Sequence, residues 1–160
     1  MEKKDLTAAM TNSISEVLET MFFMPIDFLE VENFDAMGQI KETETLAARL
    51  TFKGPFSGYC LFHIPRSVAA SLSADFMGHE AGDLTDDQIS GTVMEIANMV
   101  VGNMFGLLDE TLVFDLGVPE LVSSGDFRGG FSSSERELFL GIQTLEDYLA
   151  FQVIIDVAGH

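Results

Sequence analysis

Thr85-Asp86-Asp87-Gln88-Ile89-Ser90-Gly91-Thr92-Val93-Met94-Glu95-Ile96-Ala97-Asn98-Met99-Val100-Val101-Gly102-Asn103-Met104-Phe105-Gly106-Leu107-Leu108 is the stretch that decides the fold, residues 85–108. At about 100° per residue, Ile89, Val93, Ile96, Ala97, Val100, Met104 and Leu107 share one arc, which predicts a long amphipathic helix with that arc toward a core. Thr85 stands as its N-cap, Gln88 three residues on completes a capping-box pattern, and Asp86 and Asp87 suit the positive end of its dipole. Those two aspartates therefore read as helix-starting residues rather than catalytic ones.

The opposite stripe carries Gln88, Gly91, Glu95, Asn98, Gly102 and Gly106, with Met99 at its edge. It is flat except at Glu95 and Asn98. Each interior glycine costs a helix about 1 kcal/mol relative to alanine, so packing or function must offset this stripe. Two explanations stand side by side. Another helix of the same chain rests on the glycines, or a partner protein's loop approaches the backbone there and meets Glu95 and Asn98.

Working outward, residues 6–22 place Leu6, Met10, Ile14, Val17, Leu18 and Met21 at three- and four-residue spacings, which predicts a first amphipathic helix. Residues 22–34 are apolar but broken by Pro25 and lead into a short strand before the polar stretch 38–45. Residues 45–53 and 59–64, joined by the turn residues 54–58, read as a hairpin. Residues 67–77 form a short helix ended by Gly78. After the long helix come β-like runs at 111–116 and 118–123, a Gly- and Ser-rich loop at 124–134, and a hairpin of 137–143 and 148–157 closing over 144–147. This order predicts an α+β fold, helices laid on an antiparallel sheet, with residues 1–160 as one domain. Glu16-Val17-Leu18-Glu19-Thr20-Met21 faintly echoes Glu95-Ile96-Ala97-Asn98-Met99, a similarity two amphipathic helices can produce by chance.

Asp and Glu number 26 against 8 Lys and Arg, a formal charge of -18. A surface of that sign repels phosphate backbones and anionic lipid heads, so neither nucleic acid nor membrane is an expected partner. It would attract a protein with a basic rim, or simply maintain solubility. The N-terminal residues form no secretory h-region, and no stretch is expected to reach the roughly 18 to 20 apolar residues that span a bilayer. Cys60 is the single cysteine, which excludes an intramolecular disulfide and suits a reducing compartment. The expected location is the cytoplasm. With Phe at 14, Met at 9 and no Trp, the core should be built from phenylalanine and thioether side chains.

Other chemistry is sparse. His63, His79 and His160 have no Cys or acidic residue at a metal-ligand spacing, so no metal site is expected. Cys60 lies in an apolar strand and reads as a structural thiol. Gly125-Asp126-Phe127-Arg128-Gly129-Gly130 lacks the lysine and following helix of a nucleotide loop. Met94, Met99 and Met104 fit space-filling or a peptide groove. Asp109 and Glu110 read as a solvated turn.

Glu95-x-x-Asn98-Met99-x-x-Gly102-Asn103 in an amphipathic helix resembles the signature of the CheX and CheC chemotaxis phosphatases. The resemblance extends from the first helix to the closing hairpin, and one such helix in a chain this short is closer to CheX. Two positions depart from the family pattern. Gly91 stands where Asp or Ser is usual four residues before the glutamate, and Pro119 comes slightly earlier than the family's proline.

The resemblance implies a CheC-like fold and hydrolysis of the aspartyl phosphate on a phosphorylated CheY-like response regulator. Asn98 would position the attacking water and Glu95 would dock the regulator through a lysine, with Gln88, Gly91, Met99 and Gly102 around the contact. It implies no cofactor of the chain's own, Mg2+ in the partner receiver domain, and a homodimer. Residues 149–155 would need cover if they lay at a sheet edge. The alternative is a non-catalytic adaptor or switch-like protein that binds a receiver through the same helix.

Overall fold

The computed structural model describes residues 3–37, 45–109, 111–123 and 135–156. The expectations for 38–44, Glu110, the loop 124–134, Val157 and His160 lie outside the described residues. In chain order the elements are α1 (Lys3–Ser15), a π-helical turn (Glu16–Met21), β1 (Asp27–Leu29), α2 (Phe34–Met37), β2 (Thr45–Lys53) and β3 (Ser57–Pro65). There follow α3 (Arg66–Met77), a 3-10 turn (Ala81–Asp83), α4 (Asp86–Leu108), β4 (Asp115–Leu116), β5 (Glu120–Ser123), β6 (Glu135–Gln143) and β7 (Tyr148–Asp156).

The strands join one antiparallel sheet in the order β1-β6-β7-β3-β2-β4, with β5 also pairing β2. Both expected hairpins form, β2 with β3 and β6 with β7. The second turn is tied by Thr144, whose backbone N–H donates to the Asp147 carbonyl at 2.8 Å and whose Oγ1 accepts from the Asp147 N–H at 2.9 Å. The fold class is α+β, as the element order predicted.

Residues 149–155 do not form an edge. β7 lies between β6 and β3, and every residue from 149 to 155 is buried. Leu149, Phe151, Val153 and Ile155 face the main core, and alternate residues face the other way, where α2 covers Ala150 with Phe34 and Met37. A strand buried on both faces reads as a continuous apolar run. Approach is close enough between β3 and β7 that a Cβ at Gly58 would come within 1.9 Å of the Ile154 carbonyl oxygen, so this position admits only glycine.

α4 is the central helix, flanked by α1 and α3 and seated on β2. By length and composition Asp86–Leu108 could cross a membrane, which corrects the expectation that no stretch would reach that limit. Here its apolar arc is the packing surface for the helices and the sheet: Ile89, Val93, Ile96, Ala97, Val100, Val101 and Met104 are all buried. Leu107 departs from the predicted arc and is 49% exposed. Toward its C-terminus the buried arc turns to Phe105, whose ring stacks on Phe114 at 4.0 Å and meets Phe52 at 4.9 Å, and the last turn carries Leu107 away from the core.

The first helix also departs from its expected form. α-Geometry ends at Ser15 and the next six residues are π-helical. Bonding from i to i+5 widens the turn by a residue, so Phe22 takes the core position and Met21 is left exposed. The Phe22 N–H donates to the Val17 carbonyl at 3.2 Å and the Met24 N–H to the Leu18 carbonyl at 2.8 Å. Between them Phe23 has φ 55°, a left-handed conformation that costs a non-glycine residue about 1–2 kcal/mol.

Candidate functional site

The start of α4 is fixed by the capping box its sequence announced. The Gln88 N–H donates to Thr85 Oγ1 at 3.1 Å, and the Thr85 N–H donates to Gln88 Oε1 at 2.9 Å. Two further bonds tie the middle of the helix to the N-terminal segment. Ser13 Oγ donates to the Val100 carbonyl at 2.6 Å inside the core, and Asn103 Nδ2 donates to Glu16 Oε2 at 3.0 Å near the surface. Both join residues 87 apart in sequence, so the two segments run side by side in the same direction there. With Val93, Ile96, Ala97 and Val100 buried beneath it, the outer face of α4 is a rigid platform, and side chains on such an element are placed more accurately than on a loop.

Glu95 and Asn98 both stand exposed on that platform, three residues apart and so neighbours on one face. Among the described residues neither side chain has a hydrogen-bond or ion-pair partner. Both are free to engage something outside the chain. A neutral amide with two donors and one acceptor beside a carboxylate can hold water with one group and a cation with the other.

Among the described residues nothing packs on these glycines. A Cβ added at Gly91, Gly102 or Gly106 would meet nothing within 4 Å, so no other described element of the chain rests on them. The α4 backbone is thus clear of other described residues on both sides of Glu95 and Asn98. Gly102 and Gly106 also floor a groove of about 280 Å³, walled by Phe105, Leu112, Val113, Phe114 and Leu116. Asp109 stands in the same groove, and hydrogen bonds from the Thr111 hydroxyl and backbone N–H hold its carboxyl below the usual range.

The remaining expected contact residues are placed differently. Gln88 is half-buried with its amide oxygen engaged by the cap, and Met99 is half-buried against the main core. Met104 is fully buried and Met94 packs on the same core, so the three methionines form no peptide groove. Sequence reading overlooked the groove beyond Asn98 because Phe114 meets the helix only through the fold. Its one signal in the sequence is the apolar run after Asp109, which reads equally as a strand following a solvated turn.

Among the described residues no group of three His, Cys, Asp or Glu side chains is placed to hold a metal ion. His63 is buried and its Nε2 donates to Gln152 Oε1 at 2.6 Å, while His79 is exposed. Cys60 is fully buried, and loss of solvation pushes its thiol pKa far up, so it is no nucleophile.

Residues 46–142 match the family model described as chemotaxis phosphatase CheX. Solved structures agree over nearly the whole chain. A chemotactic CheC-like protein from Shewanella oneidensis MR-1 superposes with a TM-score of 0.76 at 16% identity, over 97% of this chain and 100% of that one. CheX from Vibrio vulnificus gives a TM-score of 0.72 at 16% identity, over 94% and 96%. CheX from Borrelia burgdorferi, solved as a CheX-CheY-BeF3-Mg2+ complex, gives 0.69 at 13% identity, over 94% and 97%. No curated protein matches the chain significantly in sequence. The architecture is therefore the CheC-like one.

Proposed function

This chain belongs to the CheX family of chemotaxis phosphatases, and from that premise we propose that it hydrolyses the aspartyl phosphate of a CheY-type receiver domain with Asn98 and Glu95. The observation that carries the reading is the pair itself: two exposed side chains with no partner among the described residues, on one face of a capped helix, with glycine on either side.

An aspartyl phosphate is an activated acyl phosphate, and the Mg2+ beside it belongs to the receiver. What the second protein must add is geometry. Water attacks phosphorus in line, the bond from phosphorus to the acyl oxygen breaks, the receiver's aspartate leaves as carboxylate, and phosphate departs with the water's oxygen. Positioning and charge stabilisation supply most of the acceleration in such transfers. The Asn98 amide can orient that water and stay uncharged beside an anionic phosphoryl group, where a carboxylate would repel it. Glu95, one turn earlier, pairs with a lysine of the incoming receiver and sets the angle at which α4 enters. Gly91, Gly102 and Gly106 let the receiver's loops lie against the backbone.

The same reading carries a homodimer, with residues 1–160 working as one unit in the cytoplasm. Since β7 is interior, a second copy would add at an end of the described sheet, along β1 on one side or along β4 and β5, which share the outer side of β2, on the other. Gly91 supports a second reading. It leaves bare backbone where the family usually has Asp or Ser, which suits an adaptor or switch-like protein that binds a receiver through α4 and hydrolyses nothing.

The deciding experiment is phosphate release from a phosphorylated receiver with the protein present and absent. Stimulation that disappears in Asn98→Ala supports catalysis. Receiver binding without stimulation transfers the function to the adaptor reading.

A further inference from the structure

A groove of about 640 Å³ runs between segment 22–25, α3 and the β6–β7 turn, and none of its described lining residues comes from α4. Phe22, Met24, Val68 and Leu72 supply its apolar floor. Its rims are apolar too, and they face solvent: Phe23 and Leu145 are each 84% exposed. Phe76 adjoins the floor residue Phe22, their rings 5.9 Å apart. Five of the exposed large apolar side chains, Met21, Phe23, Phe76, Met77 and Leu145, belong to the segments around this groove. Concentration of that kind marks an interaction surface.

Phe23 adds a second sign. It occupies the left-handed position just past a helix end, where glycine or asparagine is ordinary, and the flanking backbone bonds of Phe22 and Met24 hold it there. An aromatic ring is thus carried outward at a place where its own backbone is unfavourable.

Charge selects the occupant. Asp75, Glu146 and Asp147 line the groove, and among its described lining residues there is no Lys or Arg. Arg66, next in sequence to the lining residue Ser67, is held by Asp86. A second copy seated through the same groove would bring its own three carboxylates against Asp75, Glu146 and Asp147, and an anionic bilayer would be repelled in the same way. We infer that this groove docks an amphipathic segment of a different protein, apolar along one side and carrying Lys or Arg along its flanks. None of its described lining residues lies on α4, so it is a different surface from the one proposed for the receiver.

The test is fluorescence anisotropy of the full chain with labelled synthetic peptides of about 18 residues, long enough for an i, i+3, i+4, i+7 apolar stripe. One carries that stripe flanked by lysines, the second has glutamates in place of the lysines, and the third has the lysines with the stripe scrambled. The first is expected to bind, more weakly at high salt, and the others at least about tenfold more weakly. Phe23→Asn with Leu145→Ser should lower the first peptide's affinity about tenfold or more while keeping the fold, because asparagine tolerates the left-handed backbone. Asp75→Lys should lower it as well. Equal binding of the glutamate or scrambled peptide overturns the inference, as does unchanged affinity in the double variant. Capture on phosphatidylglycerol vesicles or a self-association that the double variant abolishes would equally overturn it, assigning the surface to lipid or to a second copy.

Discussion

Ser13 Oγ donates to the Val100 carbonyl oxygen at 2.6 Å with both residues buried, so α1 is locked to α4 two residues beyond Asn98. The helix that carries the exposed pair is thereby held from below by a polar contact as well as an apolar one. The Val100 carbonyl lies within the helix, and the serine adds to it rather than replacing a helical bond. Asn103 and Glu16 repeat the link one turn further on.

Ser13→Ala should therefore leave the helix intact and lower stability by about 1 kcal/mol, the usual worth of a buried hydrogen bond. Urea unfolding with an unchanged m-value would measure it. Ser13→Val, which forces extra methyl groups between α1 and α4, should cost about 1–3 kcal/mol.

Asn98→Ala should reduce stimulated dephosphorylation about 10²-fold or more, the scale of losing alignment in a transfer that depends on it, while receiver affinity changes little. Glu95→Ala should do the reverse, weakening affinity about tenfold to a hundredfold, as expected for a hydrogen bond to a charged group. Single-turnover phosphate release and a binding titration separate the two. Wild-type rates in Asn98→Ala would remove asparagine from the mechanism.

Gly102→Ala and Gly106→Ala should each stabilise the fold by up to about 1 kcal/mol, because a Cβ at either place meets nothing within 4 Å. Gly102→Leu should fold normally yet obstruct receiver docking. Thermal unfolding alongside receiver titration tests both, and full affinity in Gly102→Leu would mean that nothing comes close to this backbone.

Cys60 should resist a thiol reagent in the native protein and react only as the chain unfolds, since burial strongly opposes its ionisation. Following the reaction across a urea titration should give a midpoint that coincides with loss of helical signal.

Burial pushes the Glu137 carboxyl up, only partly countered by the Gln152 amide that donates to it. The folded state then binds this proton more tightly than the unfolded chain, so Glu137 lowers stability as pH rises from the ordinary carboxylate range through its raised value. Asp109, held down by Thr111, has the opposite sign and loses its contribution as pH falls through its lowered value. Glu137→Gln should therefore raise the urea midpoint near neutral pH and converge with wild type in acid. A gap of constant size across that range would refute the assignment.

Periodicity carried furthest where structure is local. The cap at Thr85, the buried arc from Ile89 to Met104 and the exposed pair Glu95 and Asn98 all emerged where their spacing put them. The same reasoning erred at Met21 and Leu107, both near helix ends. A π turn shifts the first by one residue, and the pull of Phe114 on Phe105 rotates the second out of the core. Residues 149–155 could not be assigned to edge or interior from their apolar content, because a strand covered on both faces and an unprotected edge strand read alike.

The sequence by itself determined the elements, the α+β order and the Glu95–Asn98 stripe, since capping, turn chemistry and helical spacing act over a few neighbouring residues. Only the tertiary structure decided that β7 sits inside the sheet, that Ser13 fastens α4, and that no described residue stands over Gly91, Gly102 and Gly106. Each of those depends on which residues distant in the chain come to lie against one another, and no local preference encodes that.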